Sequence, residues 1–327
     1  MHKNLFLFAV VLGCGSTKDL ADSDSDGGSG DADTDTDADA DIDTDIDTDT
    51  DADTDSDADT DVGACAGLWC QLDLGRDNSC AVDLDGNGDC WGQDADGQSS
   101  PVGSDWAMLA PGYKHTCGLL TDDTIACFGL NANQVATPPA GTFKWVTSGT
   151  YHSCAIATDD TLICWGGNAD GETDAPAGTY KDVSAGFGHT CAIDSNDELD
   201  CWGKNDLGQT DYPAGTFAKI HAGNDRISCA VDFSGVTTCW GSYTDGQNNP
   251  PGTVFREIAL GGFHGCGIRD SDDRVECWGS NFAGQQDIPQ AFTAAHIAAG
   301  STHTCAIDLS GNLDCWGNDG FGRIAHP

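Results

Sequence analysis

Positive charge is scarce in this sequence. Its 327 residues include 13 Lys and Arg against 54 Asp and Glu, which gives a formal net charge of −41. Residues 65–327 alone hold 34 acids and 11 bases, a formal charge of −23. A surface this acidic repels the phosphate backbone at physiological salt. We therefore expect no nucleic-acid partner.

Long apolar runs are also missing. The longest, residues 5–12, has eight residues and is too short to span a bilayer. It follows Lys3 and leads into "VLGC", which resembles a bacterial lipobox, whose cysteine is lipidated and becomes the new N-terminus. We predict that residues 1–14 are a lipoprotein signal peptide, with an ordinary signal peptide as the alternative. Lipidated Cys14 then places the protein in the cell envelope, and Gly15 favours the outer membrane or cell surface.

Residues 15–64 contain almost no apolar side chains. From 31 to 61, aspartate occupies every second position. Aspartate disfavours strands, and like charges would face each other in any pairing. We predict a disordered acidic tether. The stretch "DSDSDGG" at 22–28 resembles the start of a calcium loop but lacks the closing glutamate, so we expect at most loose Ca²⁺ association with the tether.

Motifs for catalysis and for metal binding are absent from the sequence. It has no Gly-x-Ser-x-Gly, no His-Glu-x-x-His and no phosphate-binding glycine loop. It also has no Cys-x-x-Cys, although it has 17 cysteines. We expect no enzyme activity, no resident metal and no cofactor. Without Cys14 the cysteines number sixteen, which in an exported chain indicates a disulfide framework.

Fourteen of these cysteines form a regular pattern. The second member of each pair recurs every 37 or 38 residues and is followed by Trp-Gly, or once by Phe128-Gly129. The first member lies ten or, once, eleven residues earlier. The predicted disulfides are Cys80–Cys90, Cys117–Cys127, Cys154–Cys164, Cys191–Cys201, Cys229–Cys239, Cys266–Cys277 and Cys305–Cys315. Cys65 and Cys70 fall outside the repeat and are candidates to bond to each other.

A fixed period of this size indicates a repeat architecture. In the repeat 139–175 we predict strands at 143–147, 153–157 and 161–165, so its two cysteines face each other across a hairpin. The third strand is apolar on both faces and needs a cover on both, which a radial stack of small sheets supplies. Residues 65–327 hold seven whole repeats. We predict an all-β, seven-bladed β-propeller closed by the last loop against the first strand, with an open solenoid as the alternative.

The segment "AGFGHTCAIDSNDELDCWGKNDLGQ", 185–209, resembles the repeat of the regulator-of-chromosome-condensation family. The resemblance covers 65–327 in register and implies the family's propeller fold. This chain's short repeats are closer to secreted bacterial relatives than to the family's founding member, a nuclear exchange factor. Its cysteine pairs, lipobox and acidity do not fit nuclear exchange or chromatin binding, so the founding activity is not carried over.

A histidine two residues before the first cysteine recurs in five repeats. The five are His115, His152, His189, His264 and His303. A ring of imidazoles is one way to hold a metal, but no carboxylate accompanies each histidine. We therefore interpret these histidines, like Trp-Gly and Gly-Gln, as parts of the scaffold.

Positions that differ between repeats are the better candidates for function. They lie between the glycine that follows the first predicted strand of each repeat and the histidine position. These loops are predicted to share one end of the ring. Aromatic side chains with arginine are typical of a partner-binding surface. The predicted binding rim is Arg76, Tyr113, Lys114, Tyr151, Phe187, Asp225, Arg226 and Phe263. Repeat five departs most, with an extra residue, Ile227 at the histidine position, and Tyr243.

These features predict a monomeric, lipid-anchored binding module for an unknown protein or glycan. The membrane is contacted through the lipid alone. One alternative is a propeller enzyme, a lyase or hydrolase, with a site near the axis. The other is a structural, calcium-associated surface component. In that case the differences between the loops are neutral variation in solvent-exposed turns.

Overall fold

The structure is a computed structural model that describes residues 69–242, 246–290 and 292–325. The predictions for Cys14, the signal peptide, the tether and Cys65 lie outside the described residues, as does Tyr243. Cys70 is disulfide-bonded.

The described chain folds into seven three-stranded antiparallel sheets, one for each repeat. Blades one to three consist of β1 (Trp69–Leu74), β2 (Asn78–Asp83), β3 (Gly88–Gly92), β4 (Trp106–Pro111), β5 (His115–Leu120), β6 (Ile125–Gly129), β7 (Phe143–Ser148), β8 (His152–Ala157) and β9 (Leu162–Gly166). Blades four and five consist of β10 (Tyr180–Ala185), β11 (His189–Asp194), β12 (Leu199–Gly203), β13 (Lys219–Ala222), β14 (Ile227–Val231) and β15 (Thr237–Gly241). Blades six and seven consist of β16 (Phe255–Leu260), β17 (His264–Arg269), β18 (Val275–Gly279), β19 (Ala294–Ala299), β20 (His303–Asp308) and β21 (Leu313–Gly317). The prediction of an all-β, seven-bladed propeller is confirmed.

The first strand of each blade lies nearest the axis. These inner strands contact the inner strands of both neighbouring blades, and β19 contacts β1, so the ring is closed. The second strand is the middle strand, and the third is the outer strand. We call the end with the loops between inner and middle strands the upper face, and the end with the hairpin turns the lower face. Because the outer strand runs parallel to the inner one, the loop that follows it also lies on the upper face.

The seven predicted hairpin disulfides are present. Each joins directly opposed residues of a middle and an outer strand, such as Cys191 and Cys201. The bonded pairs are Cys80–Cys90, Cys117–Cys127, Cys154–Cys164, Cys191–Cys201, Cys229–Cys239, Cys266–Cys277 and Cys305–Cys315. In the chain-entropy model a loop this short gains about 2–3 kcal/mol from its disulfide. The covalent link compensates for the small core of a three-stranded blade.

Apolar side chains are buried between neighbouring blades. Tyr180 and Val183 of β10, for example, pack on Ile156 of the preceding blade's middle strand. The first residue of the inner strand is a large aromatic in most blades, and Trp106, Phe143, Tyr180 and Phe255 are each 1% exposed. Burial of one such side chain contributes roughly 1.5–3 kcal/mol. Each blade therefore completes its core with its neighbour.

The outer strand is covered less than the sequence predicts. Ile163 of β9 is 38% exposed, because no further strand or blade lies over its outer face. In the part of the chain that the structure describes, no helix has the length and apolar character to cross a membrane.

Glycines set the distance between blades on the upper side of the ring. A Cβ added at Gly112 would lie 2.4 Å from the carbonyl oxygen of Gly149, and one at Gly149 would lie 2.5 Å from that of Gly186. The same close approach continues around the ring to Gly300, where the Cβ would lie 2.9 Å from the carbonyl oxygen of Gly75. Side chains at these positions would force the blades apart. This requirement explains the glycine that ends every inner strand.

Candidate functional site

The five repeated histidines bind neighbouring blades together. Each imidazole Nε2 lies 2.7–3.0 Å from a hydroxyl on the middle strand of the next blade. The pairs are His115–Ser153, His152–Thr190, His189–Ser228, His264–Thr304 and His303–Ser79. The histidines are at most 1% exposed. Their interpretation as scaffold is consistent with this geometry.

At three of the five joints, hydrogen bonds fix the tautomer of the histidine. The hydroxyl of Thr190 donates its proton to the carbonyl oxygen of Glu172, so it accepts the proton on Nε2 of His152. Ser228 and Thr304 make the equivalent bonds. Burial lowers the pKa of His152 to about 3 and that of His264 to about 4. These imidazoles are therefore neutral at physiological pH and donate across the joint.

Two joints are built differently. In blade one Asn78 takes the histidine position and its amide donates to Thr116, with the two atoms 3.4 Å apart. In blade five Ile227 takes it, and Gly265 stands opposite where a hydroxyl is expected. A Cβ at Gly265 would lie 2.4 Å from the ring of Trp278, which packs in one cluster with Ile227. The joint between blades five and six thus replaces the hydrogen bond by apolar packing.

The last loop completes the ring. The backbone oxygen of Arg323 accepts the indole proton of Trp91, with the nitrogen and oxygen 2.8 Å apart. In other blades the same tryptophan bonds to the loop of the preceding blade, as Trp316 does to Gln285. The guanidinium of Arg323 is buried, 2.6 Å from Asp77 of blade one and 3.0 Å from the hydroxyl of Thr302. These contacts place the loop against the outer strand β3 and the Asp77 loop of blade one, whereas the sequence predicted packing against the first strand.

The axis is lined by the third and fifth residues of the inner strands. Several of these side chains bind the exposed backbone edge of the next inner strand. The amide of Gln71 makes two hydrogen bonds with the backbone of Leu109, and Glu257 accepts the amide proton of Ile297. Asp182 accepts that of Ile220. The inner edges are therefore satisfied by side chains from the preceding blade.

Several titratable side chains of blades one, five, six and seven also lie at this axis, and the sequence did not predict them as site residues. His296 Nδ1 lies 3.4 Å from a carboxylate oxygen of Glu257, and this hydrogen bond raises the pKa of His296. Burial lowers the pKa of His221, on the blade before. Burial also raises the pKa of Asp73, on blade one, to about 7. The axis is therefore polar on one side. The carboxylates of Glu257 and Asp182 already accept hydrogen bonds from backbone amides.

On the upper face, blades one to three hold a stacked group of rim side chains. The guanidinium carbon of Arg76 lies 4.7 Å from the ring centre of Tyr113. The Tyr113 ring meets that of Tyr151 edge to face at 6.3 Å. Lys114 is 3.3 Å from Asp96, and Tyr151 is 48% exposed. The structure thus brings together four of the predicted rim residues, with Tyr113 covered and Tyr151 presented to solvent.

Blades four and five hold a second group. Arg226 and Lys204 both approach the ring of Phe187, at 5.9 and 5.8 Å from its centre. Both cations also approach one carboxylate oxygen of Asp206, at 3.1 and 3.9 Å respectively. Asp225 lies in the same loop as Arg226. Lys204 and Asp206 follow the outer strand, so they lie outside the rim predicted from the loops between inner and middle strands.

Blades six and seven hold a third, aromatic group. The ring of Phe263 packs edge to face on Phe282, with centroids 5.6 Å apart. Phe282 and Phe321, both in loops after outer strands, are 68% and 65% exposed. A phenylalanine where other blades carry smaller residues, such as Ala95 or Ala169, is a signal that could have identified them. Phe263 thus contacts Phe282, which lies outside the predicted rim.

Within the described ranges, no group of three or more His, Cys, Asp or Glu is arranged to hold a metal ion.

A family model for the regulator of chromosome condensation repeat matches residues 146–172, 180–209, 255–285 and 294–323. These segments are blades three, four, six and seven, which carry both the histidine and the tryptophan. The blades outside the match have Asn78, Phe128 or Ile227 at one of those positions. A comparison with curated protein sequences finds no match.

Solved structures with a similar fold include two plant receptor ectodomains. That of the Physcomitrella patens receptor kinase CR4 has a TM-score of 0.64 and 23% identity, over 77% of this chain and 74% of that one. That of Arabidopsis thaliana ACR4 has a TM-score of 0.63 and 23% identity, over 80% of this chain and 99% of that one. Prp20p of Saccharomyces cerevisiae has a TM-score of 0.61 and 14% identity, over 70% and 80%.

At these identities the structural likeness shows the fold alone. The family model adds the repeat itself, because its matches cover most or all of four blades, including residues that form the joints. The chain is therefore a seven-bladed propeller in which four blades match the repeat of the regulator-of-chromosome-condensation family.

Proposed function

We propose that this protein is a binding module whose upper face engages a partner protein. The observation that carries the proposal is the presence of three different, pre-packed aromatic groups on that face: Arg76–Tyr113–Tyr151, Phe187 with its two cations, and Phe263–Phe282. Side chains already held in place lose little conformational entropy on binding. Aromatic residues and arginine are also enriched among residues that dominate binding energy.

A structural neighbour and the charge of the chain bear on the class of partner. The yeast protein Prp20p, similar in fold, binds Gsp1p and histones, which is a precedent for protein binding by this architecture. The acidity of this chain argues against nucleic acid as its own partner.

The test is a capture experiment with the mature, oxidised chain on beads, exposed to envelope and culture-medium fractions. A second bead carries the chain with Tyr113, Tyr151, Arg226 and Phe263 changed to alanine. A third carries Phe233→Ala, an exposed phenylalanine of the lower face, as the matched control. We expect a protein that the first and third beads retain and the second loses. Equal capture by all three beads would contradict binding at the upper face. A glycan retained by the first and third beads alone would show that the ligand of this face is a glycan and not a protein.

We further propose that the module is attached to the cell envelope through a lipid on Cys14. The sequence "VLGC" supports this part of the proposal. Cys14→Ser should move the protein from the membrane fraction to the soluble one and remove the mass of the acyl chains from the N-terminal peptide. Membrane association that survives Cys14→Ser would contradict a lipid anchor.

An enzyme with an axial site is the second candidate, and the paired His296 and Glu257 are the observation that favours it. We place it below the binding module because Glu257 also holds the backbone of Ile297. An activity that disappears in His296→Gln while the Tm stays unchanged would reverse this order. The structural, calcium-associated alternative rests on the acidic residues 15–64 and remains a prediction.

A further inference from the structure

The upper face of blades six and seven presents the two most exposed aromatic side chains in the described chain. Phe282 is 68% exposed and Phe321 is 65% exposed, against 48% for Tyr151. Phe282 lies in the loop after β18, and Phe321 lies in the loop after β21. The first loop packs on the start of the second, since a Cβ at Gly284 would lie 4.0 Å from Gly317. Two large apolar side chains thus project from consecutive loops.

The backbone at Phe321 is unfavourable for this residue type. Phe321 has φ 70° and ψ 14°, a left-handed conformation that glycine and asparagine adopt far more readily. In blade two the equivalent residue is Asn133, with φ 56°. An exposed phenylalanine in a left-handed backbone contributes neither to the core nor to an easy turn. Such positions cluster at functional sites, where something other than folding retains them.

The two loops are also held in place before any partner arrives. Phe282 packs edge to face on Phe263, and the guanidinium carbon of Arg323 lies 5.2 Å from the ring centre of Phe321. Arg323 is itself fixed to Asp77 by the buried ion pair that closes the ring. We call Phe263, Phe282 and Phe321 the phenylalanine arc.

Charge is nearly absent around this arc. The upper loops of blades six and seven carry Asp287, Asp319 and Arg323 as their charged residues. Asp287 accepts a hydrogen bond from the amide of Asn281, and Arg323 is neutralised by Asp77. The arc therefore has one cation, Arg323 beside Phe321, whereas the other two aromatic groups each contain two. In a propeller with formal charge −23, the arc is thus matched to an uncharged surface and not to an ionic one.

We propose that the phenylalanine arc is the centre of the binding face, and that it takes an uncharged segment of a partner protein with apolar or aromatic side chains. This inference rests on the proposed function and names the part of the upper face that dominates it.

The test uses a library of random twelve-residue peptides displayed on phage, selected against the mature, oxidised chain. Selected peptides are synthesised, and their Kd is measured for the wild-type chain, Phe282→Ala, Phe321→Asn and the lower-face control Phe233→Ala. We expect enriched peptides rich in apolar and aromatic residues. Their Kd should rise at least tenfold in Phe282→Ala and Phe321→Asn and stay within twofold in Phe233→Ala. The Tm should not fall in Phe321→Asn, because asparagine suits the left-handed backbone better.

The other outcomes overturn the inference in distinguishable ways. Peptides that lose affinity in Tyr113→Ala or Tyr151→Ala, but not in the arc variants, leave upper-face binding intact and remove the arc. Peptides of strongly acidic or basic composition contradict an uncharged partner. Peptides that bind all variants equally contradict both the arc and the upper face. If no peptide is enriched and the arc retains a glycan instead, the proposed protein segment is not the ligand.

Discussion

The joints between blades and the upper face obey opposite rules. At five of the seven joints a buried histidine bonds to a hydroxyl of the next blade, and the glycine beside it sets the spacing all around the ring. On the upper face each aromatic group is assembled from different residue types. Residues that recur from blade to blade hold the ring together, and residues that differ between blades form the proposed binding face.

Acidification should break the joints most strongly. The histidines have pKa values of about 3 to 4 when folded and near 6.5 when unfolded, so the unfolded chain binds more protons between these values. Their contribution to stability is complete above pH 6.5 and is lost as pH falls toward 4. Linkage gives about 1.4 kcal/mol per pH unit for each histidine, hence on the order of 15–20 kcal/mol for all five over the roughly 2.5 pH units of this window. Urea unfolding of the oxidised protein at pH 7, 5.5 and 4.5 measures it.

Two controls accompany the acid series. Asp73, with its raised pKa of about 7, contributes stability below pH 3.8 that is lost as pH rises through 7, so it opposes roughly one histidine. His152→Asn copies the residue of blade one and should lower the pH slope by about a fifth. A free energy of unfolding that stays flat down to pH 4.5 would show that the joints do not hold neutral imidazoles.

A single methyl group at a joint should have the next largest effect. Gly149→Ala places a Cβ 2.5 Å from the carbonyl oxygen of Gly186 and 2.8 Å from the ring of His152. We expect a loss of about 3 kcal/mol or more, because backbone cannot move aside as a side chain can. Gly252→Ala, where nothing lies within 4 Å, is the matched control and should leave the urea midpoint unchanged. Equal midpoints for both variants would contradict a spacing role for the glycines.

Arg323→Ala tests the joint between blades seven and one. Asp77 is 15% exposed and keeps its ion pair with Arg76 at 3.7 Å, but it loses the guanidinium 2.6 Å away, so we expect a loss of about 1–2 kcal/mol. Arg323→Gln restores the residue of blades one, four, five and six and should cost about half as much. Thermal unfolding of the two variants compares them. If alanine and glutamine behave alike, the ion pair does not stabilise the closure.

Ile227→His tests the exceptional joint. The new imidazole would be buried opposite Gly265 without a hydroxyl to accept its proton, so we expect a loss of about 1–3 kcal/mol. Adding Gly265→Thr should not rescue it, because the ring of Trp278 occupies the space of the new side chain. Ile227→Val, at about 1 kcal/mol, is the control for lost volume. Rescue by the double variant would show that this joint is a diverged copy of the others and not an alternative design.

The sequence is a good guide to whatever repeats. The spacing of cysteine, histidine and Trp-Gly predicts the blade number, the strands to within about a residue at their ends, and the disulfide pairs, because each depends on contacts within one blade. Contacts between blades are harder to infer. Nothing local in the sequence links His152 to Thr190, or shows that Ile227 and Gly265 face each other across a joint.

The binding face illustrates the same limit. The rim loops follow from strand direction, so Arg76, Tyr113 and Tyr151 could be placed together from the sequence. Lys204, Phe282 and Phe321 lie after outer strands, and they reach the same face only because all three strands of a blade are antiparallel to their neighbours. The axial side chains were missed because the bonds of Glu257 and Asp182 go to the edge of another blade.

The seven hairpin disulfides each join cysteines ten or eleven residues apart. Short loops close with a small loss of entropy, so the two cysteines of a hairpin meet often before the blades assemble. In an oxidising environment a hairpin can be linked as soon as its own strands pair, without waiting for the ring. Fourteen thiols can therefore reach one pairing by a succession of local choices, and the ring can close from blades that are already linked.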